Sequence, residues 1–256
     1  MSFATAGRAQ RPVGILGTGS YLLSRVVTNE DLEAPTGVTD EWIVRKTGIR
    51  ARRFGKHDEA TSDLAAAAAR AALEDSGTSV ADLTPIIVAA STPDSPQPPT
   101  AALVAYLLDA PSTAAAFDLN AVCSGFVYAL AAAQRMLAAT GGTALVIGAG
   151  MYSRITDPAD RRTRVLFGDG AGAVVLGGAD RRRILASRLL TYAEGRHPAR
   201  GERRDRGRGT PPLRDGRARR QGDRVRQAAR HPLRPSTRPG SPRRTSRTSS
   251  PTRATA

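Results

Sequence analysis

A single thiol offers the chain's clearest chemistry. Cys123 is the only cysteine among 256 residues, and its neighbours have the pattern of a nucleophile mount. Residues 115–120 read as a strand, Ala121-Val122 as a sharp turn, and Cys123-Ser124-Gly125-Phe126 as the opening of a helix. A sulfur at a helix N-terminus sits at the positive end of the aligned peptide dipoles, which favours the thiolate, the form that attacks carbonyl carbon. Gly125 is expected to leave space beside the sulfur for such a carbonyl. A cysteine without this setting is usually a small buried hydrophobe. Here the strand–turn–helix context points to acyl transfer.

Other chemistries are excluded or weak. One cysteine rules out an intramolecular disulfide framework, a thiolate zinc site and a CxxC redox pair. The three histidines, His57, His197 and His231, are isolated in sequence, so no paired-ligand spacing exists and no metal or cofactor is expected. Gly17-Thr18-Gly19 lacks the third glycine of a dinucleotide fingerprint, because Leu22 stands there. Gly168-Asp169-Gly170-Ala171-Gly172-Ala173 matches the spacing but runs into Val174-Val175-Leu176, a β-like stretch rather than a phosphate-binding helix. Both glycine motifs read as structural turns.

The elements that must position Cys123 follow from periodicity. Residues 13–16 read as a strand entering a tight turn at Gly17–Gly19. Thr39 is a helix N-cap with Asp40 and Glu41 in the first turn, and Gly48 ends that helix. A second, alanine-rich helix starts at Thr61 or Ser62 and stops at Gly77. Residues 85–89 form a buried strand, followed by a Pro-rich loop and a helix over 101–108. Residues 114–119 form the strand before Cys123, from which a long apolar helix departs. Further strands are expected at 144–147, 164–167 and 173–176, with another at 184–190. Strands alternating with helices predict an α/β layered fold with a largely parallel sheet.

Charge divides the chain in two. The whole sequence carries a formal +15, with 40% hydrophobic and 4% aromatic residues. Residues 198–256 hold 18 Arg, no Lys and four acidic residues, whereas residues 1–197 hold 20 basic and 19 acidic residues. Beyond alanine, the last 59 positions contain only Leu213, Val225 and Leu233 as apolar side chains. Such a segment buries too little surface to offset chain entropy and is expected to be disordered. The longest uncharged run, residues 136–153, is interrupted by Thr140-Gly141-Gly142, so no membrane span is expected. Arg8 and Arg11 before an apolar stretch resemble a signal peptide only loosely, because Gly14, Gly17 and Gly19 interrupt it. A cytoplasmic protein is expected.

From about Val13 to Gly195 the chain resembles the β-ketoacyl-acyl-carrier-protein synthase III enzymes, condensing enzymes of the thiolase-like superfamily. Four separated motifs carry the resemblance, in the expected order. They are residues 14–22 (GILGTGSYL), residues 39–50 (TDEWIV with KTGIR), residues 117–126 (FDLNAVCSGF) and residues 167–173 (FGDGAGA). The resemblance implies a thiolase-like layered α/β/α/β/α fold, of which only the N-terminal half is recognisable. Residues 1–12 would be an extension, 13–195 the half bearing the nucleophile, and 196–256 a tail. It further implies that Cys123 takes an acyl group from acyl-CoA, the substrate. A carbanion from malonyl-acyl-carrier protein then attacks the thioester as carbon dioxide leaves, in fatty-acid or polyketide initiation. Trp42 would stack on the CoA adenine with Arg161 on its other face, a pairing that suits a purine. Lys46 stands where relatives often carry Arg, near CoA phosphates or the carrier protein. Gln97 occupies a loop position where some relatives place an aromatic against the partner subunit's acyl pocket, so a simple short-acyl preference is in doubt. A homodimer is implied as well.

The chain also departs from the family. The His of a His-Gln-Ala-Asn-like motif and the Asn of an Asn-Thr-Ser-like motif, which donate hydrogen bonds to the developing oxyanion, have no counterpart. His231 sits in Arg230-His231-Pro232, and no Asn follows Asn120. This half-site is expected to be condensation-defective. The Arg, Pro, Gly, Ala, Ser and Thr bias of the tail is what GC-rich coding DNA yields in a wrong frame, which predicts a frameshift near His197 and a truncated relative. The competing reading is a non-enzymatic nucleic-acid-binding protein acting through the Arg-rich tail. No aromatic is interleaved there to stack on bases, so sequence-specific nucleic-acid binding is not expected.

Overall fold

The computed structural model describes residues 11–191. The expected disordered tail lies outside the described residues. The chain divides into two units, residues 1–215 and 216–256, and every described residue belongs to the first.

Seven strands and five helices alternate: β1 (Val13–Tyr21), β2 (Val26–Thr28), α1 (Glu30–Thr36), α2 (Asp40–Thr47), β3 (Ala51–Arg53), α3 (Thr61–Ser76), β4 (Leu83–Ala89), α4 (Thr100–Leu107), β5 (Ala115–Leu119), α5 (Gly125–Thr140), β6 (Thr143–Met151) and β7 (Asp169–Gly178). The main sheet has the order β1-β7-β6-β4-β5, and β2 and β3 form a separate two-stranded antiparallel sheet. β4 pairs parallel to both β5 and β6, whereas β7 runs antiparallel to β1 and β6. The sheet is therefore mixed, not largely parallel. Pro85 lies inside β4, and the register with β6 is irregular between Leu83 and Ile86, as expected where a ladder N–H is missing.

Strand alternation sorts the core into two layers. Ile86, Val88, Leu145, Ile147 and Val175 face α3 and α4, while Ile87, Ala89, Val146, Val174 and Leu176 face α5. Helices thus cover both faces of the sheet, an α/β/α sandwich. The cluster of Val27, Leu32, Val38, Ile43, Phe54 and Val165 is a smaller core built from β2, α1, α2 and the segments after β3 and β6.

The helix starts follow local chemistry. Thr39 Oγ1 accepts from the Trp42 N–H at 3.3 Å, and the Asp63 carboxylate accepts from the Ala60 N–H at 2.8 Å. Gly48 and Gly77 take left-handed backbone and end α2 and α3, as the sequence predicts. The glycine turns do not form. Gly17 and Gly19 lie inside β1, where a Cβ on Gly17 would stand 2.5 Å from the Ser76 N, and one on Gly19 would strike the Ala72 N. Their role is to let α3 lie directly on the strand. Asp169 to Ala173 likewise belong to β7, paired with β6 throughout and with β1 from Ala171 onward.

Two expected strands are also absent. Arg164 lies in a run of turns, and residues 184–190 are irregular. The latter run beside α5: Gln134 Nε2 donates to the Ile184 carbonyl at 3.0 Å, and the Tyr128 hydroxyl lies 3.5 Å from the Leu190 carbonyl. Helical residues Val122–Thr140 are long and apolar enough to cross a membrane by length and composition. Their Ala129, Ala133 and Leu137 side is buried on the sheet.

Candidate active site

The parallel strands β4 and β5 end side by side, with Ala89 opposite Leu119, and the chain turns there into α5. Val122 adopts φ 50°, a left-handed conformation unusual for a β-branched residue. Its N–H is held by Asn120 Oδ1 at 3.0 Å, and the Ser91 hydroxyl lies 3.4 Å from the same oxygen. The Ser124 N–H closes the turn on the Ala121 carbonyl at 3.1 Å. Cys123 is exposed within a single 3₁₀ turn over Val122–Ser124, and α5 proper begins at Gly125. The helix therefore starts two residues later than the sequence suggests.

Gly125 has a different use from the one expected. Its missing side chain faces Ala89 Cβ, 3.3 Å from where a Cβ would stand, and the Leu119 carbonyl at 3.8 Å. The glycine seats the helix against the ends of β4 and β5. Cys123 itself stands exposed on the turn.

Asp118 ties this turn to the Gln97 loop. Its two carboxylate oxygens accept from the Thr100 and Ala101 N–H groups at 2.8 and 2.7 Å, capping α4 from the neighbouring strand. Gln97 is exposed, three residues before Thr100, so its loop is anchored five residues from Cys123. Asn120 and Asp118 do positioning work that the sequence reading missed. The signal was an Asx residue two positions before a turn residue, a pattern that supports local side-chain-to-backbone bonding.

Trp42 and Lys46 are one helical turn apart on α2, hence on one face. Trp42 is half-buried against the cluster that contains Phe54 and Val165, and Lys46 is exposed. Arg161 is exposed in the segment that reaches Val165. The turn bearing it is braced by Asp160, whose Oδ1 accepts from the Arg162 N–H at 2.9 Å and whose Oδ2 accepts from the Thr163 hydroxyl at 3.0 Å. Trp42 and the Arg161 segment thus meet around one small core. Cys123 stands on a different element, at the end of the main sheet.

Two arginines, the buried Arg52 and the half-buried Arg164, support that small core. Arg52 donates to the Val165 carbonyl at 3.0 Å and the Thr28 carbonyl at 3.1 Å. Arg164 lies 4.2 Å over the Phe54 ring. Burial lowers the pKa of both guanidiniums; Asp169 counteracts the shift at Arg164 and Arg25 adds to it. Among the described residues, no group of three His, Cys, Asp or Glu side chains could hold a metal ion.

Sheet order, the helices on both faces and the nucleophile turn define a thiolase-like α/β protein. The family profile for 3-oxoacyl-[acyl-carrier-protein] synthase III matches residues 117–193. Over these residues the chain is similar to the 3-oxoacyl-acyl-carrier-protein synthase III family. It is 61% identical over 163 residues to the acetoacetyl-CoA synthase NphT7 of Streptomyces sp. (strain CL190), covering 64% of this chain and 49% of that protein. It is 52% identical over 190 residues to the β-ketoacyl-acyl-carrier-protein synthase III of Rhodospirillum centenum, covering 72% of this chain and 58% of that protein. Among solved structures, the synthase III of Aquifex aeolicus superposes with a TM-score of 0.63 at 44% identity, over 66% of this chain and 54% of that one. The priming β-ketosynthase of the R1128 polyketide pathway gives 0.65 at 36%, over 69% and 53%. The chain spans about half the length of the curated relatives it matches.

Proposed function

We propose that Cys123 is the acyl-accepting nucleophile of a condensing enzyme, taking an acyl group from acyl-CoA. The observation that carries this reading is an exposed thiol on a strained turn between β5 and α5. The thiolate attacks the thioester carbonyl, the carbon–sulfur bond to CoA breaks, and CoA leaves as the thiol after taking a proton. Acylation draws only on a side-chain sulfur, so no cofactor is invoked. Trp42, Arg161 and Lys46 are proposed to hold the nucleotide end of CoA, and Gln97 to border the acyl group. The relatives' names support the class: acetoacetyl-CoA synthase and acyl-carrier-protein synthase III.

In the family reading, an acyl carrier protein delivers the second substrate and two copies form a dimer. Support for the dimer is β5, an edge strand whose Ala116, Phe117 and Leu119 are only half-buried. A soluble, cytoplasmic setting belongs to the same proposal. The condensation half of the reaction must stabilise an enolate, and these 256 residues hold neither the His nor the Asn motif for it. Removing one oxyanion donor costs about 3 kcal/mol. We therefore expect slow acylation without measurable condensation. Incubation with labelled acetyl-CoA and malonyl-carrier protein, scored for bound acyl and for β-ketoacyl product, separates the two steps. One acyl mass should appear on Cys123 and vanish in Cys123→Ala. Acyl labelling that survives this substitution would overturn the assignment, and product at ordinary enzymatic rates would overturn the expected defect.

A further inference from the structure

The described residues form a concave feature that the proposed acyl transfer does not use. It is a cleft of about 590 Å³ whose lining includes Arg25, Lys56, His57, Arg154, Arg164 and Phe54. The cations come from three separate segments: the β1–β2 turn, the β3–α3 loop and the region after β6. No acidic side chain and no part of Cys123 lines it among the described residues.

Two nearby carboxylates, Asp169 and Glu59, are committed to groups of the cleft walls. Asp169 is buried, with Oδ1 accepting from the Ser153 N–H at 2.8 Å and Oδ2 from the Gly55 N–H at 2.8 Å and the Ser153 hydroxyl. It therefore joins the two walls of the cleft, and its charge also acts on Arg164. The Glu59 carboxylate accepts from the Lys56 backbone N–H at 2.7 Å. Arg154 clamps the loop by donating to the His57 and Glu59 carbonyls. Arg164 is fixed by the Ser153 carbonyl at 2.7 Å and Thr156 Oγ1 at 3.1 Å, and its buried Nε has no partner. The side chains of Arg25, Lys56 and His57 have no hydrogen-bond partner among the described residues. Walls held this firmly keep like charges together, an arrangement that an anion relieves.

We propose that this cleft binds the phosphate groups of a small polyphosphorylated ligand. A lone carboxylate would satisfy one guanidinium fork, whereas five basic groups on three segments suit several closely spaced phosphate oxygens. The volume falls in the range of small-molecule sites, about 300–1,000 Å³. The inference stands apart from the acyl-transfer reading and does not depend on it.

The composition makes a local test possible. Lys46 and Lys56 are the chain's only lysines; Lys56 lines the cleft and Lys46 does not. The full chain is acetylated with an amine-directed reagent, with and without tripolyphosphate, and each lysine is followed by peptide mass spectrometry. At ten times its Kd, tripolyphosphate should slow Lys56 acetylation about tenfold by mass action, with Lys46 little changed. Arg25→Ala, at an exposed position, should weaken the protection severalfold, and citrate should protect less than tripolyphosphate. Equal protection of both lysines, no protection of Lys56, full protection in Arg25→Ala, or citrate acting as well as tripolyphosphate would each overturn the proposal.

Discussion

Val122 is an exposed β-branched residue in left-handed backbone, one position before Cys123, the proposed nucleophile. That conformation costs about 1–2 kcal/mol for an L-residue with a Cβ, and the Asn120 side chain and the Ser124–Ala121 bond hold it in place. Val122→Gly should relieve the strain and, after the entropy that glycine adds to the unfolded chain, raise stability by about 0.5–1 kcal/mol. Asn120→Ala should lower stability by about 1 kcal/mol and slow alkylation of Cys123 by a fixed iodoacetamide concentration. Urea titration reads the first effect and a thiol-modification time course the second. A destabilised Val122→Gly would show that the turn is not strained.

Packing between elements depends on where side chains are missing. α3 lies on β1 because Gly17 and Gly19 leave no Cβ between them, and Ala65, Ala68, Ala69 and Ala72 present an equally small face in return. Gly19→Ala forces backbone against backbone, which neither a rotamer nor a flexible side chain can absorb. It should cost at least about 2–3 kcal/mol. Gly178→Ala, at the end of β7 with open space around it, should be tolerated. Asp118→Ala removes two bonds to the α4 N-terminus and should cost about 1–2 kcal/mol. It should also loosen the Gln97 loop, seen as faster proteolysis there. Soluble yield and thermal midpoint, compared across the three variants, test this ordering.

At the scale of the whole chain, part of the apolar surface is uncovered. Val127 on α5 is 53% exposed and Tyr106 on α4 is 82% exposed, and β5 offers an unpaired edge of half-buried side chains. Surfaces of this kind drive association. The chain is expected to sediment as species larger than a monomer, with association persisting in high salt because apolar contacts are not screened. Val127→Asp should shift the distribution toward monomer. A single monomeric boundary for the unsubstituted chain would show these surfaces to be inert.

The nucleophile setting was legible in the sequence because its causes are local. A strand, an Asx residue, a turn and an apolar helix follow one another within about fifteen positions, and capping at Thr39 and Asp63 is likewise set by neighbours. The same locality made the four family motifs readable. The glycine runs were misread because a strand glycine and a turn glycine look alike until the packed neighbour is known. Only α3 against β1, and two flanking strands around β7, decided the matter. Tertiary structure also decided the antiparallel placement of β7 and the irregular path of residues 184–190 along α5. It alone gathered Arg25, Lys56 and Arg164 into one cleft. These features depend on contacts between residues far apart in the chain, whose energies no local pattern of residue types encodes.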